Sequence, residues 1–312
     1  MTTKLKVIDC DIIYLSYDEP NAEKNYADLC KKIPWAKRVH GVEGSDAAHK
    51  ACAEISETNR FITVDGDNTI ETEFLQQEIE FKDTTDFEEC VVSWAAYNQI
   101  NGLIYGNGGL KCWPKKYVQN MRTHEAADPN NKQAQVEFCW DARYIQIDKC
   151  FSVIHNNATP HQAWRAGFRE GVKMCLNVGT KPASSEDFFK NHWLNLHRAY
   201  IWMNVGADVK NGLWAIYGAR EGLHKTMCTD WDYVQVRDFK YLNSLWDNEY
   251  SKITEDMLRY EIMGLGETLI HELDLPIGVT PLDEQQSKFF KTVYQSPARR
   301  INLRNQHVID TE

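Results

Sequence analysis

The alternation of apolar and polar positions divides the chain into two unlike halves. In the first, short β-branched and aromatic runs alternate with helical periods. "KVIDCDIIYLSYD" reads as a strand. "NAEKNYADLCKKI" repeats apolar residues at helical spacing through Ala22, Tyr26, Leu29 and Ile33, with Asn21 placed to cap it after Pro20. "AKRVHGV" predicts a short strand, "SDAAHKACAEISE" a helix beginning at a capping Ser45, and "RFITVDGD" a third strand. "CVVSWAAYNQI" and "NGLIYGNGG" are strand-like, the second ending in a tight loop. "QVEFCWDARYIQI" and "KCFSVIHNN" give two more strand candidates, the first open to being part helical. Beyond "TPHQAWRAGFREGVKMCLNVG" the composition shifts. "GTKPASSED" is loop-like, with Ser185 as a cap, and the remainder has mostly helical periods.

Alternating strands and helices imply an α/β sheet whose first strands are parallel, flanked by helices. A mainly helical C-terminal lobe should follow. The division falls at 1–158 and 159–312, with the second part available to bind an acceptor. In such sheets ligands sit beyond the C-terminal strand ends. Asp65 and Asp67 fall at one such end, Ser16, Tyr17 and Asp18 at another, and His155 at a third.

Composition narrows the class. At 43% hydrophobic and 12% aromatic, 312 residues can bury a proper core, which excludes a disordered chain. No apolar run approaches the roughly 20 residues that span a membrane, and the N-terminus lacks the pattern of a signal peptide. Nine cysteines, an odd number without a C-x-x-C pair, argue for reduced thiols in a cytoplasmic compartment rather than a disulfide framework.

The net charge of −10 disfavours nucleic acid, but the charge is unevenly spread. Lys111, Lys115, Lys116 and Arg122 stand in an acid-free stretch, as do Lys288, Arg299, Arg300 and Arg304. Arg165, Arg169 and Lys173 recur at helical spacing. Such strips are either ordinary solvated faces or a basic track for phosphates.

The chemistry centres on Asp65-Gly66-Asp67. Asp-Gly is a favoured turn pair. Equally, carboxylates at i and i+2 on a strand share a face, and hard oxygen ligands suit Mg²⁺ or Mn²⁺ with positions left open for phosphate. The order of strand, helix, strand, helix and then an apolar strand ending in D-x-D resembles the nucleotide-sugar domain of GT-A-type glycosyltransferases, over roughly Lys6 to Asn157. "GNGGLKCWPK" falls where that family has its sugar- and acceptor-side loop, and "EFCWDARY" where many inverting members carry an acidic base. "FSVIHNN" is similar to the late strand whose histidine completes the metal site.

The resemblance implies that Asp65 and Asp67 hold a divalent cation, Mn²⁺ or Mg²⁺, with His155 as third ligand. Ser16, Tyr17, Asp18 and Asp46 would line the base and ribose, and Lys50 would reach the ribose or diphosphate. Gly108 and Gly109 would admit the sugar. Asp141 would be the catalytic base, with Glu137 as the alternative. "CWDAR" lacks the paired acids common in the family, and an enzyme that retains configuration needs no such base. A plain structural role stays open for each of these residues: a strand-end histidine, an aspartate paired with arginine, a lysine on a solvated helix face.

"YLSYDEPNAEKNYADL", "PWAKRVHGVEGSDAAHK" and "ITVDGDN" also resemble phage glycosyltransferases that decorate DNA, including enzymes adding arabinose to 5-hydroxymethylcytosine. That resemblance implies a sugar-nucleotide donor such as a UDP-sugar and a DNA acceptor carrying a hydroxymethylated base. The basic strips would then track phosphates, and Trp113 or Trp140 would stack on a flipped base. Two other readings stay open. One is a glycosyltransferase acting on a polysaccharide, lipid-linked sugar or protein. The other is a non-catalytic nucleotide-sugar or nucleic-acid binding protein on the same scaffold.

Overall fold

The computed structural model describes residues 3–81, 84–106, 109–128, 130–136, 138, 142–296 and 308–310. The elements run β1 (Thr3–Lys6), β2 (Asp11–Ser16), α1 (Ala22–Lys32), β3 (Lys37–His40), α2 (Ser45–Ile55), β4 (Arg60–Asp65), β5 (Asn68–Ile70), β6 (Glu78–Phe81) and α3 (Thr84–Glu89). They continue with β7 (Val91–Asn98), β8 (Ile104–Tyr105), β9 (Leu110–Pro114), α4 (Lys115–Asn120), α5 (Lys132–Val136), β10 (Tyr144–Ile154) and α6 (Pro160–Cys175). The C-terminal part adds α7 (Ser185–Phe189), α8 (Trp193–Asn204), α9 (Gly212–Cys228), α10 (Phe239–Leu245), α11 (Glu255–Leu273), α12 (Glu284–Val293) and β11 (Val308–Asp310).

The main sheet has the order β3-β2-β4-β9-β7-β10-β5, with β8 added to β7. β2 is parallel to β3 and β4, and β7 to β10, while β9 runs antiparallel between β4 and β7. A small antiparallel sheet, β1-β6-β11, lies apart from it. The architecture is therefore the expected α/β sheet flanked by helices and followed by a mainly helical lobe.

Period-2 alternation fills both faces of the sheet. Ile12, Tyr14, Ile62 and Val64 face one core with Leu29 and Ile33 from the α1 side. Ile13, Phe61 and Trp113 face the other, with Cys52 and Ala53 of α2 and Val118 of α4. Trp113, expected as a base-stacking candidate, is a core residue. It is fully buried, and its indole N–H donates to the Thr63 hydroxyl at 2.9 Å.

Four local expectations change. "KVIDCDIIYLSYD" is two strands in two sheets, separated by a 3-10 turn over Val7–Asp9, because Val7 N–H bonds the Gln77 carbonyl at 3.0 Å. "QVEFCWDARYIQI" and "KCFSVIHNN" contribute the short α5 and then one strand, β10. Its register shifts between Ile147 and Cys150, so a bulge takes up the polar Asp148-Lys149 that interrupts the apolar pattern. The cap of α2 is Gly44, and that of α7 is Ser184, whose side chain accepts from Asp187 N–H. Among the described residues of "NGLIYGNGG", only Ile104 and Tyr105 form strand.

In the helical lobe α6 and α9 touch backbone to backbone. Gly167 and Gly171 of α6 face Ala215 and Ala219 of α9, while Gly218 and Gly222 of α9 face Trp164 and Phe168 of α6. A Cβ at Gly167 would lie 1.9 Å from the Ala215 carbonyl oxygen. The lobe also has a buried polar hub. The fully buried Arg220 donates to the carbonyls of Met203, Ile262, Val279 and Gly278 at 3.0, 2.8, 2.6 and 2.9 Å. Burial pulls this guanidinium down to about 10. An Arg220→Met variant should lose about 3 kcal/mol of stability, since the substitution strands several buried carbonyls that water cannot reach. Urea unfolding of the two proteins measures the difference.

The lobe is not sealed off from the sheet half. Ile100 and Leu103, from the β7–β8 connection, belong to its core. Lys291 of α12 pairs with Asp208 at 2.6 Å and reaches the Ile100 carbonyl at 3.3 Å.

Candidate active site at the strand ends

β4 delivers Asp65 to its C-terminal end on the face that carries Phe61 and Thr63. Residues 66 and 67 then form a turn before β5 starts at Asn68. The Asp-Gly turn and the paired carboxylates are thus the same feature. Two glycines let side chains pack closely around it. Gly109 lies opposite Asp65 and accepts its N–H at 3.1 Å. With φ +87°, and Asn68 Nδ2 only 2.4 Å from where a Cβ would stand, that position requires glycine. A Cβ on Gly66 would fall 2.5 Å from a Glu19 carboxylate oxygen. Glu19, which no local pattern in the sequence singles out, therefore lies directly over the turn.

The result is a concentration of negative charge. Burial, reinforced by Asp65 and Glu19, pushes the Asp67 carboxyl up to about 7. Glu19 is raised as well, by burial and by Asp18 and Asp65. One divalent cation would relieve this repulsion. Among the described residues no three His, Cys, Asp or Glu side chains are arranged to hold such an ion. Two aspartates with water and phosphate oxygens match the way Mg²⁺ is commonly held.

The remaining expected donor residues occupy several environments. The buried Ser16 hydroxyl accepts from Arg38 Nε at 3.2 Å and lies 3.0 Å from His40 Nδ1. Tyr17 and Asp18 are exposed beyond β2. Asp46 and Lys50 pair with each other at 2.7 Å on α2. The N-terminus of α2 is occupied from within: Glu125 accepts from Ser45 N–H at 2.6 Å. Gly108, Glu137, Asp141, Trp140, Arg299, Arg300 and Arg304 lie outside the described residues.

His155 stands beside β5 rather than in the crevice. Its backbone N–H donates to the Asp67 carbonyl at 2.8 Å, but its ring nitrogens meet the Thr69 hydroxyl at 2.9 Å and the Gln99 side-chain oxygen. Nδ1–H donates to Gln99, so Nε2 is the acceptor for Thr69, and neither nitrogen is free for a metal in this arrangement. The ring lines a pocket of about 670 Å³ with Asn21, Lys24, Asp28 and Lys210. A His155→Ala variant should lose about 1–2 kcal/mol of stability through the stranded Thr69 and Gln99 groups. Its Mn²⁺ titration should match that of the unmutated chain. A weakened Mn²⁺ response would return the imidazole to the metal site.

The basic strips divide. Lys111 of β9 lies across from Thr63 and bears on the half-buried His49 in the sense opposite to Asp65, so it belongs to the strand-end face. Lys115 donates to the Ser56 carbonyl at 2.6 Å, whereas Lys116 and Arg122 are exposed. Arg165 and Arg169 both pack on Phe239. Lys173 pairs with Glu170.

No family model matches this chain, and no curated protein does. Among solved structures, one similar chain is a glycosyltransferase involved in the glycosylation of the major capsid of PBCV-1. It is 13% identical over 49% of this chain and 98% of its own, at a TM-score of 0.29. Another is HddC from Yersinia pseudotuberculosis, 16% identical over 35% of this chain and 57% of its own, at a TM-score of 0.20. Likenesses this distant carry no functional argument. No helix among the described residues is long and apolar enough to cross a membrane.

Proposed function

We propose that the chain is a glycosyltransferase that moves a sugar from a nucleotide-sugar donor to a hydroxyl acceptor. The observation that carries this reading is the gathering of Asp65, Asp67 and Glu19 at the C-terminal end of β4, where their mutual repulsion calls for a cation. Mn²⁺ or Mg²⁺ held by Asp65 and Asp67 would neutralise charge building on the departing diphosphate. Tyr17 and Asp18 are exposed beyond β2, where base and ribose would lie, and Gly109 would border the sugar. Asp141, or Glu137, would take the acceptor proton in an inverting reaction.

The resemblance to phage enzymes makes 5-hydroxymethylcytosine in DNA the acceptor to test first, with arabinose among the sugars. Lys116 and Arg122 are exposed, but they follow β9 at its Pro114 end, which pairs with Arg60 at the start of β4 and not with the acidic turn. A polysaccharide or protein acceptor is the alternative. The test is incubation of hydroxymethylated DNA with Mn²⁺ and a panel of sugar nucleotides, followed by mass spectrometry of the nucleosides. A hexose or pentose added to the modified base supports the full reading. Mn²⁺-dependent donor hydrolysis with unmodified DNA keeps the enzyme and removes the DNA acceptor. Neither product from any donor overturns the proposal.

A further inference from the structure

α6 carries a pair of cations near the rim formed by Phe239 and the loop before α2. Arg165 and Arg169 sit one helical turn apart on α6, and neither has a carboxylate partner among the described residues. Both guanidiniums pack on one ring instead, 5.0 and 4.9 Å from the centroid of Phe239. Arg169 Nε is buried and bonds no acceptor among the described residues. Lys173, the next cation along the helix, shows the contrast. It is neutralised by Glu170, which also accepts from the Tyr105 hydroxyl at 2.7 Å.

Two like charges sharing one ring repel, and sinking one of them adds a desolvation cost. Burial and Arg165 together pull the Arg169 guanidinium down, while Glu170 and, less strongly, Asp67 act the other way. Arg169 thus lies within electrostatic reach of the D-x-D turn. Arg165 and Asp18 likewise both act on His161, one turn earlier on α6. The ring that seats the pair is held at the rim, since the neighbouring Lys240 pairs with Glu43 at 2.7 Å, just before α2. Arginines that meet a DNA backbone can stay solvated, whereas Arg169 has its Nε buried. The geometry favours a small polyanion entering the crevice.

We propose that Arg165 and Arg169 form an anion seat for the diphosphate of the nucleotide donor, opposite Asp65 and Asp67. The inference rests on the glycosyltransferase reading and deepens it: the diphosphate is held from two sides, by a cation at the carboxylates and by planar guanidinium forks on α6. Such forks match phosphate oxygens in a two-pronged way that lysine cannot reproduce.

The test is calorimetric titration of the full chain, with Mn²⁺ present, against UDP, CDP, GDP, dTDP and uridine. Arg169→Gln should weaken the preferred nucleoside diphosphate by about tenfold to a hundredfold, the range for hydrogen bonds to charged groups. Uridine binding should not change, and Arg169→Lys should recover only part of the loss. Unchanged diphosphate affinity in Arg169→Gln and in the Arg165→Gln/Arg169→Gln double variant would overturn the seat. Loss of DNA binding with diphosphate affinity intact would overturn it too, by assigning the pair to DNA. In the unmutated chain, inorganic pyrophosphate should raise the melting temperature in metal-free buffer and compete with the nucleotide. No protection would count against the seat even if the variants failed to fold. If the unmutated chain bound none of the four diphosphates, the glycosyltransferase reading would fall with the seat. If Asp67→Asn removed Mn²⁺-dependent binding while the arginine variants bound normally, the seat alone would fall.

Discussion

An Asp67→Asn variant should lose sugar transfer by about a hundredfold to a thousandfold, the scale seen when one electrostatic group is removed from a transition state, while melting no lower than the unmutated chain. The two halves of this expectation share one cause. Asp67 stands among Asp65 and Glu19 in a partly buried turn, and its charge is a burden on the folded state without a cation. Asparagine keeps the shape and can still accept the bond that Asn68 Nδ2 gives to Asp67 Oδ1 at 2.8 Å. It removes the charge that would bind a metal, so activity and stability should separate. A variant that lost both would point to a structural aspartate. Full transfer, or transfer that survives excess chelator, would remove the metal from the mechanism. Rates from initial velocities and melting curves in metal-free buffer supply both readings.

A Gly167→Leu variant should fail to fold its helical lobe, or fold with a loss of at least about 3 kcal/mol, the upper end of overpacking costs. The Cβ alone would enter the Ala215 carbonyl oxygen, and a backbone atom cannot rotate aside. Relief requires α6 and α9 to separate, which would also open the contacts at Gly171, Gly218 and Gly222. Each of these glycines costs its helix about 0.5–1 kcal/mol relative to alanine, so close approach of the two helices is the physical reason for four of them. Leucine at the exposed Gly264, where a Cβ meets nothing within 4 Å, is the control and should be tolerated. Circular dichroism melts of both variants measure the contrast. Because α6 carries Arg165 and Arg169, a displaced helix would also disturb the strand-end crevice.

The sequence showed the first half of the fold where local pattern and burial agree. β2, α1, β3, α2 and β4 follow from periods of two and 3.6, since each buries one face or a whole strand. β10 was harder to see because its apolar pattern breaks at Asp148-Lys149, and a bulge lets one strand carry both pieces. The D-x-D was visible because a strand that ends in two acids is unusual. Glu19 was not visible, because its place over Gly66 depends on how the loop after β2 folds back across β4. Glu125 at the N-terminus of α2 is equally non-local, lying 80 residues from Ser45 in the chain. The glycine pairs in "GFREG" and "GAREG" take their meaning only from the meeting of α6 and α9. Arg165 and Arg169 were legible as a cationic strip. Their meeting on Phe239 depends on how the helical lobe folds.

The most direct measurement is a Mn²⁺ titration followed by electron paramagnetic resonance, with and without UDP, on the unmutated chain and on an Asp65→Asn/Asp67→Asn double variant. The free Mn²⁺ signal should fall at low protein concentration when UDP is present with the unmutated chain, and it should fall no further than in protein-free UDP with the variant. Equal Mn²⁺ uptake by both proteins would contradict a metal-assisted nucleotide-sugar site at the end of β4.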